Sequence, residues 1–386
     1  MAFLKLGVIS FGGPIAHLGY FRREFVVRRR WLSEAAYAEL LGLCQFLPGP
    51  TSSQVGFALG MMRAGLKGAV LASLCFTLPS ALLMLAFGYA GSRLGGPEAA
   101  HILHGLKLVA VAVVAQAVWG MARTLTPDVR RAVIAVTAFV ILILASSALA
   151  QLGVIVLGAL AGLGLCRNLA GQGSHGFDLP VSRRAGIVCL VLFAGLLIIL
   201  PLANAGPERG GIALFDAFYR SGALVFGGGH VVLPLLRAEL VPTGWIGDDA
   251  FLAGYGAAQA MPGPLFTFAA YLGAASAHAP NGVAGALVAL SGIFLPGYLI
   301  LCAAVSMWRF VRNSAAARAI VAGTNAAVVG LLAAALYDPL WKTGITGFAD
   351  MVIVGVGFIM LLTGRVPVLL VVAGITSASM VAGLPA

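Results

Sequence analysis

The chain has 386 residues, of which 60% are apolar, 10% are charged and 51 are glycine; its mean hydropathy is +1.01. No water-soluble core buries so much apolar surface, which excludes soluble enzymes and soluble binding modules. A net charge of +11 would suggest nucleic acid in a soluble protein, but here the basic residues lie between hydrophobic runs, where they report membrane topology, so no nucleic-acid partner is expected.

The first residues, Met1 to Gly12, lack the cationic leader and small-residue cleavage site of a signal peptide, so no removed leader is expected. Residues 3–22 form an apolar segment interrupted at Gly12 and Gly13, and residues 34–62 form a second one interrupted at Pro48, Gly49 and Pro50. Four plain spans follow at roughly 65–91, 101–122, 131–147 and 150–166, each about as long as a bilayer crossing requires. A polar stretch and one extra hydrophobic helix at about 185–203 come next, and from residue 211 the pattern begins again. The five cysteines are odd in number, widely spaced and set in apolar segments, which favours neither a disulfide framework nor a metal site. No cofactor is expected.

The second half repeats the first. Phe11, Gly12 and Gly13 return as Phe226, Gly227 and Gly228; Glu24 as Glu239; Trp31 as Trp245; Gln45 as Gln259. Pro48, Gly49 and Pro50 return as Pro262, Gly263 and Pro264, and Gly105 as Gly323, with an offset that drifts only from 214 to 218. The expected organisation is an N-terminal repeat at 1–167, a linker with one transmembrane helix at 168–210, and a C-terminal repeat at 211–386.

Cation counting decides how the broken segments sit. If they dip into the bilayer and return, eighteen loop cations fall on one side and only Arg93, Arg209, Arg237 and Lys342 on the other. If they cross, the bias is weak and lies the other way. The expected fold is therefore an all-α polytopic membrane protein of two inverted repeats. Each repeat has two re-entrant broken segments followed by four transmembrane helices, and an odd joining helix inverts the second.

Helices broken inside a membrane leave backbone groups unpaired, which is tolerated where the break lines a cavity. After Pro50 come Thr51, Ser52 and Ser53, so a helix N-terminus would present N–H groups, hydroxyls and a positive dipole end, suited to an anion. Gly12, Gly13, Gly49, Gly227, Gly228, Gly229 and Gly263 would admit an oxyanion close to the main chain, and Pro14, Pro48, Pro262 and Pro264 mark the breaks. Lys107 is a candidate source of positive charge, against the alternative of a snorkelling interfacial lysine. Gln45 and Gln259 stand three residues before each Pro-Gly-Pro, placed to donate to substrate or to cap the turn, and His230 is a candidate donor. Glu39 is a candidate proton carrier, while Glu24 and Glu239 read as structural ion-pair partners and Arg220 as a partner of Asp216.

The stretch from Ser10, Phe11, Gly12, Gly13, Pro14 through Arg28, Arg29, Arg30, Trp31 to Leu47, Pro48, Gly49, Pro50 resembles the chromate ion transporter family in its long two-domain form, and the second-half motifs resemble its C-terminal domain. Gly229 departs from the pattern, standing where the first half has Pro14. The resemblance implies a multi-pass inner-membrane exporter of chromate, with sulfate as a competing or exchanged anion. A homodimer in the bilayer is a further expectation. Rival readings are a sulfate or other oxyanion transporter, a passive anion channel, and a membrane enzyme acting on a lipid phosphate. The last lacks any HExxH, GxSxG or paired intramembrane acids.

Overall fold

The computed structural model describes residues 1–91, 97–145, 147–166, 180–203, 210–226 and 229–382, and every regular element among them is helical. The polytopic all-α expectation holds, with helices long and apolar enough to cross a membrane. In chain order these are α1 (Ala2–Ile9), α2 (Gly13–Phe21, continued by a π-helical turn Arg22–Arg28), α3 (Glu34–Phe46), α4 (Thr51–Gly91), α5 (Pro97–Leu125), α6 (Val129–Leu144), α7 (Ala148–Leu165) and α8 (Arg183–Ala203). The second half supplies α9 (Gly211–Ala223), α10 (Val232–Leu240), α11 (Asp248–Ala260), α12 (Phe268–Ala274), α13 (Gly282–Asn313), α14 (Ala315–Ala335), the short turn α15 (Lys342–Gly344), α16 (Phe348–Thr363) and α17 (Val368–Ala382).

Several helices start on a side-chain cap: Ser33, Asp128, Ser147 and Ser314 each accept the N–H three residues on. At Asp128 that N–H, from Arg131, and then the Arg131 side chain hold the carboxyl below its ordinary value.

The 41 residues of α4 would make a rod of about 60 Å if straight, twice the hydrocarbon thickness. They do not, because Ala64 and Gly65 leave helical geometry (φ −148° and +59°). A Cβ built on Gly60 would lie 2.4 Å from the Gly68 carbonyl, so the two arms, 51–63 and 66–91, fold back on each other. Gly273 and Gly285 make the same contact between α12 and α13.

The second broken segment of each half is likewise a hairpin, turned at its Pro-Gly-Pro, whose ends meet. The Arg63 guanidinium lies over the Trp31 ring at 5.7 Å, which joins the start of α3 to the end of the first arm of α4. In the second half the Ala277 N–H donates to the Trp245 carbonyl at 2.8 Å, and the Trp245 and His278 rings meet edge-on at 5.5 Å.

The outer surface faces lipid. Along the second arm of α4, Leu66, Val70, Leu74, Leu78 and Leu82 form an exposed stripe at helical spacing, and α8 exposes Ile187, Val188, Val191 and Ile198. Exposed apolar faces of this extent are stable in hydrocarbon and not in water.

Inside, the halves interleave: α5 packs on α16 and α17, while α14 packs on α6 and α7. Glycine permits both crossings. A Cβ on Gly105 would fall 2.9 Å from the Thr376 Cα, and one on Gly323 would fall 2.1 Å from the Gly158 carbonyl, so the repeated glycines make corresponding contacts. Gly323→Val should force α14 off α7 at a cost of about 1–3 kcal/mol and lower the melting midpoint in detergent by several degrees. Gly355→Val, where a Cβ meets nothing within 4 Å, should leave it unchanged, and equal midpoints for the two variants would contradict the tight crossing.

Ion pairs brace the broken segments. Glu24 takes Arg28 and Arg29, and Arg220 lies between Asp216 and Glu239, the structural roles expected for these residues.

Candidate functional site

The first break follows α1. Ser10 is fully buried, and Gly12 and Gly13 take left-handed φ of +100° and +75° to start α2, with Pro14 in its first turn. The second break follows α3, where Gly49 at φ +117° carries the chain into α4. The two halves are tied here by reciprocal hydrogen bonds. The Gly49 N–H donates to the Val225 carbonyl at 2.7 Å, and the Gly263 N–H donates to the Ser10 carbonyl at 2.8 Å. Val225 and Ser10 occupy the same repeat position, as do Gly49 and Gly263. Each Pro-Gly-Pro therefore braces the glycine break of the other half, and these two glycine N–H groups are already engaged within the protein.

Around the first-half breaks the lining is polar. His17, on α2, is fully buried; its Nε2 donates to the Ser10 carbonyl at 3.1 Å and its Nδ1 faces the Ser52 hydroxyl at 3.4 Å. Thr51, Ser52 and Ser53 open the new helix, whose first N–H groups have no intrahelical acceptor. The Gln54 amide donates to the Pro48 carbonyl at 2.8 Å and, across to α13, to the Gly297 carbonyl at 2.9 Å. Beside the breaks, Ser10 Oγ and Gln54 Oε1 are buried without a partner, while the Ser53 hydroxyl lies against the Tyr298 hydroxyl. Unpaired polar atoms in a buried setting are costly, and these two flank the first-half breaks.

The corresponding place in the second half is filled. Phe266, Thr267 and Phe268 stand where the first half has Ser52, Ser53 and Gln54, and all three are buried. Thr267 spends its hydroxyl on the Pro264 carbonyl, and the Phe268 ring packs against Phe251 and Tyr255. His230 bonds the Tyr255 hydroxyl through Nδ1 at 2.7 Å. Gln259, buried, donates its side-chain amide to the Tyr255 carbonyl within α11 at 3.5 Å. Gly229 begins a short 3-10 turn before α10, and Gly227 and Gly228 lie outside the described residues.

The remaining sequence candidates are scattered. Lys107 is ion-paired with Asp249 at 2.5 Å, in the first turn of α11, about 18 Å along that helix from Met261. Gln45 is exposed, unlike Gln259, and Glu39 is half-buried on α3. His17 escaped the sequence reading, and Ser10 and Gln54 were not among its candidate site residues. The available signal for His17 was a lone histidine one helical turn after Gly13 in an apolar run.

A separate cavity of about 390 Å³ opens beside α10, α14 and α15, lined among others by Ser147, Gln151, Arg237 and Lys342. Its two cations are engaged by Asp248 and Asp338. Among the described residues no group of three or more His, Cys, Asp or Glu comes together to hold a metal.

The sequence model of one protein family, described as chromate transporter, matches residues 1–163 and 212–383. The chain is 28% identical to a chromate transport protein of Pseudomonas aeruginosa, over 87% of this chain and 79% of that one. It is 31% identical to a probable chromate transport protein of Synechococcus elongatus, over 86% and 82% respectively. It is also 25% identical to an uncharacterized transporter of Methanocaldococcus jannaschii, over 86% of this chain and 82% of that one. No solved structure matches.

Proposed function

This chain belongs to the chromate transporter family, and from that premise we propose that it exports chromate across the inner membrane by alternating access, giving chromate resistance. The observation that carries the site is the first-half break, where α4 opens on Thr51, Ser52 and Ser53 and the buried Ser10 Oγ and Gln54 Oε1 on either side lack a partner. Hydroxyl and N–H donors at the positive end of a helix dipole suit a tetrahedral oxyanion. They suit sulfate equally, since it shares chromate's shape and charge, and an exchanged anion of that class fits the same reading.

The proposed moving parts are the repeats at 1–167 and 211–386, inverted relative to each other with the 185–203 helix as the inverting span. Three observations support that arrangement. Arg63, one of the cation-rich set, meets Trp31 at one hairpin base, as a re-entrant segment would require. Trp245, Ala277 and His278 close the other base. Arg237 and Lys342, two of the four cations assigned to the opposite side, line one cavity.

The membrane potential suffices to drive export. At about 2.3 kcal/mol per charge per 100 mV, a dianion leaving a negative interior gains roughly 4.6 kcal/mol. In proteoliposomes clamped with potassium and valinomycin, chromate flux should rise with an imposed potential of the correct sign and reverse with its inversion. Flux indifferent to the potential would overturn electrogenic export, and unitary currents in planar bilayers would identify a channel.

A further inference from the structure

We propose that the first-half site takes up a proton together with its oxyanion, with His17 gaining that proton at Nδ1 as the anion arrives. The inference rests on the oxyanion reading above and begins with the hydrogen bonds of the ring. A carbonyl only accepts, so the Nε2 atom 3.1 Å from the Ser10 oxygen carries the hydrogen. In the neutral ring Nδ1 is then a bare acceptor, and the Ser52 hydroxyl beside it points its single proton at the ring. Ser52 thereby turns lone pairs toward the break, which repels an oxyanion. Protonation reverses the pair: Nδ1–H donates to Ser52 Oγ, the Ser52 proton is released toward the anion, and a positive charge appears beside it.

The second observation is that, among the described residues, no charged side chain is hydrogen-bonded to the His17, Ser52 or Gln54 side chains at this break. Lys5 is exposed and Lys107 is engaged by Asp249. A dianion stripped of water with no opposite charge nearby is strongly disfavoured, and a proton on His17 is the counter-charge that this lining can supply. The groups around the ring are neutral. Ser10 faces it from the α1 side, Ser52 from the first arm of α4, and the Phe76 ring edge-on from the second arm at 5.5 Å. From α3 the Tyr37 hydroxyl bonds the adjoining Leu18 carbonyl, and from the other half the Gly263 N–H shares the Ser10 carbonyl. No acidic or basic side chain is hydrogen-bonded to His17 among the described residues.

The step balances simply. A proton from water on the entry side forms the Nδ1–H bond, the same bond breaks on the exit side, and chromium keeps its oxidation state. Each cycle then moves one net negative charge outward, so the potential still favours export. The proton resides on His17 and not on Glu39.

The test uses the full-length protein in proteoliposomes with a trapped pH dye under a potassium–valinomycin clamp, between about pH 7.5 and about pH 9, where chromate itself remains the dianion. The wild type should move about one proton and one net charge per chromate, with flux falling by up to tenfold per pH unit. His17→Gln, which keeps a donor for the Ser10 carbonyl and cannot be protonated, should lose both the accompanying proton and the pH slope, whatever its absolute rate. Ser52→Ala, which leaves His17 in place but removes its switching partner, should flatten the slope. A wild type that carries chromate with two charges and no proton overturns this inference while leaving the oxyanion reading intact. A His17→Gln variant with the wild-type proton ratio overturns it as well. Absence of chromate flux in the wild type overturns the transport reading and this one with it.

Discussion

Gly49→Ala should reduce chromate flux per reconstituted molecule by at least about tenfold, because two independent penalties meet at one atom. The first is conformational, since φ of +117° lies outside the range of L side chains and costs about 1–2 kcal/mol. The second is steric. The new Cβ would sit 2.9 Å from the Gly297 Cα, and main chain cannot rotate away as a side-chain tip does, so overpacking adds about 1–3 kcal/mol. Relief requires moving α13 outward, which breaks the Gln54 bond to the Gly297 carbonyl and loosens the Gly49 bond to Val225. Those contacts join the two halves beside the polar break, so the loss falls on transport as well as on stability. Gly13→Ala makes an informative comparison, because its φ is +75° but its Cβ meets nothing within 4 Å; only the conformational penalty applies. Gly42→Ala, inside α3 with open space, should transport normally. Flux assays on the three variants should rank them in that order, and wild-type flux from Gly49→Ala would remove the case for a tight junction.

Arg220→Met should be the most destabilising single change away from the breaks. Its guanidinium forms a fork onto Glu239, with both bonds at 2.9 Å, and reaches Asp216 at 3.0 Å, whose side chain is 1% exposed. Removing the cation leaves two carboxylates facing each other in a low-dielectric setting, a loss of about 3–5 kcal/mol, equivalent to a fall in melting midpoint of roughly 4–6 °C. Arg220→Lys should recover only part, since an ammonium cannot serve the fork and Asp216 together. Neutralising all three residues at once, with Asp216→Asn and Glu239→Gln added to Arg220→Met, should restore most of the midpoint, because the penalty arises from unpaired charge and not from lost volume. Thermal unfolding in detergent measures each. A midpoint within about 2 °C of wild type for Arg220→Met would mean that water reaches the carboxylates.

The breaks were legible in the sequence because each is local: glycine at positive φ and proline without an N–H interrupt a helix wherever they stand. The doubled motif was legible for the same reason. The chemistry at the breaks was not. The repeated glycine and proline sites suggested equivalent oxyanion-admitting breaks in both halves, whereas the structure finds a polar first-half lining and an aromatic second-half one. The substitution of Phe266 and Phe268 for Ser52 and Gln54 was visible all along, but its meaning depends on what packs against those rings. Lys107 looked like a charge source until Asp249, 142 residues away, was brought onto it.

The amino-acid sequence by itself determined the all-helical membrane class, the positions of the interruptions and the repeat, because hydrophobic run length and backbone propensity act over a few turns. Only the tertiary structure decided how the halves engage: the crossed bonds from Gly49 to Val225 and from Gly263 to Ser10, and the burial of His17 between Ser10 and Ser52. Such pairings join groups far apart in the chain, and no local periodicity encodes them. They follow from the need to satisfy the backbone groups left open where a helix is interrupted in an apolar interior.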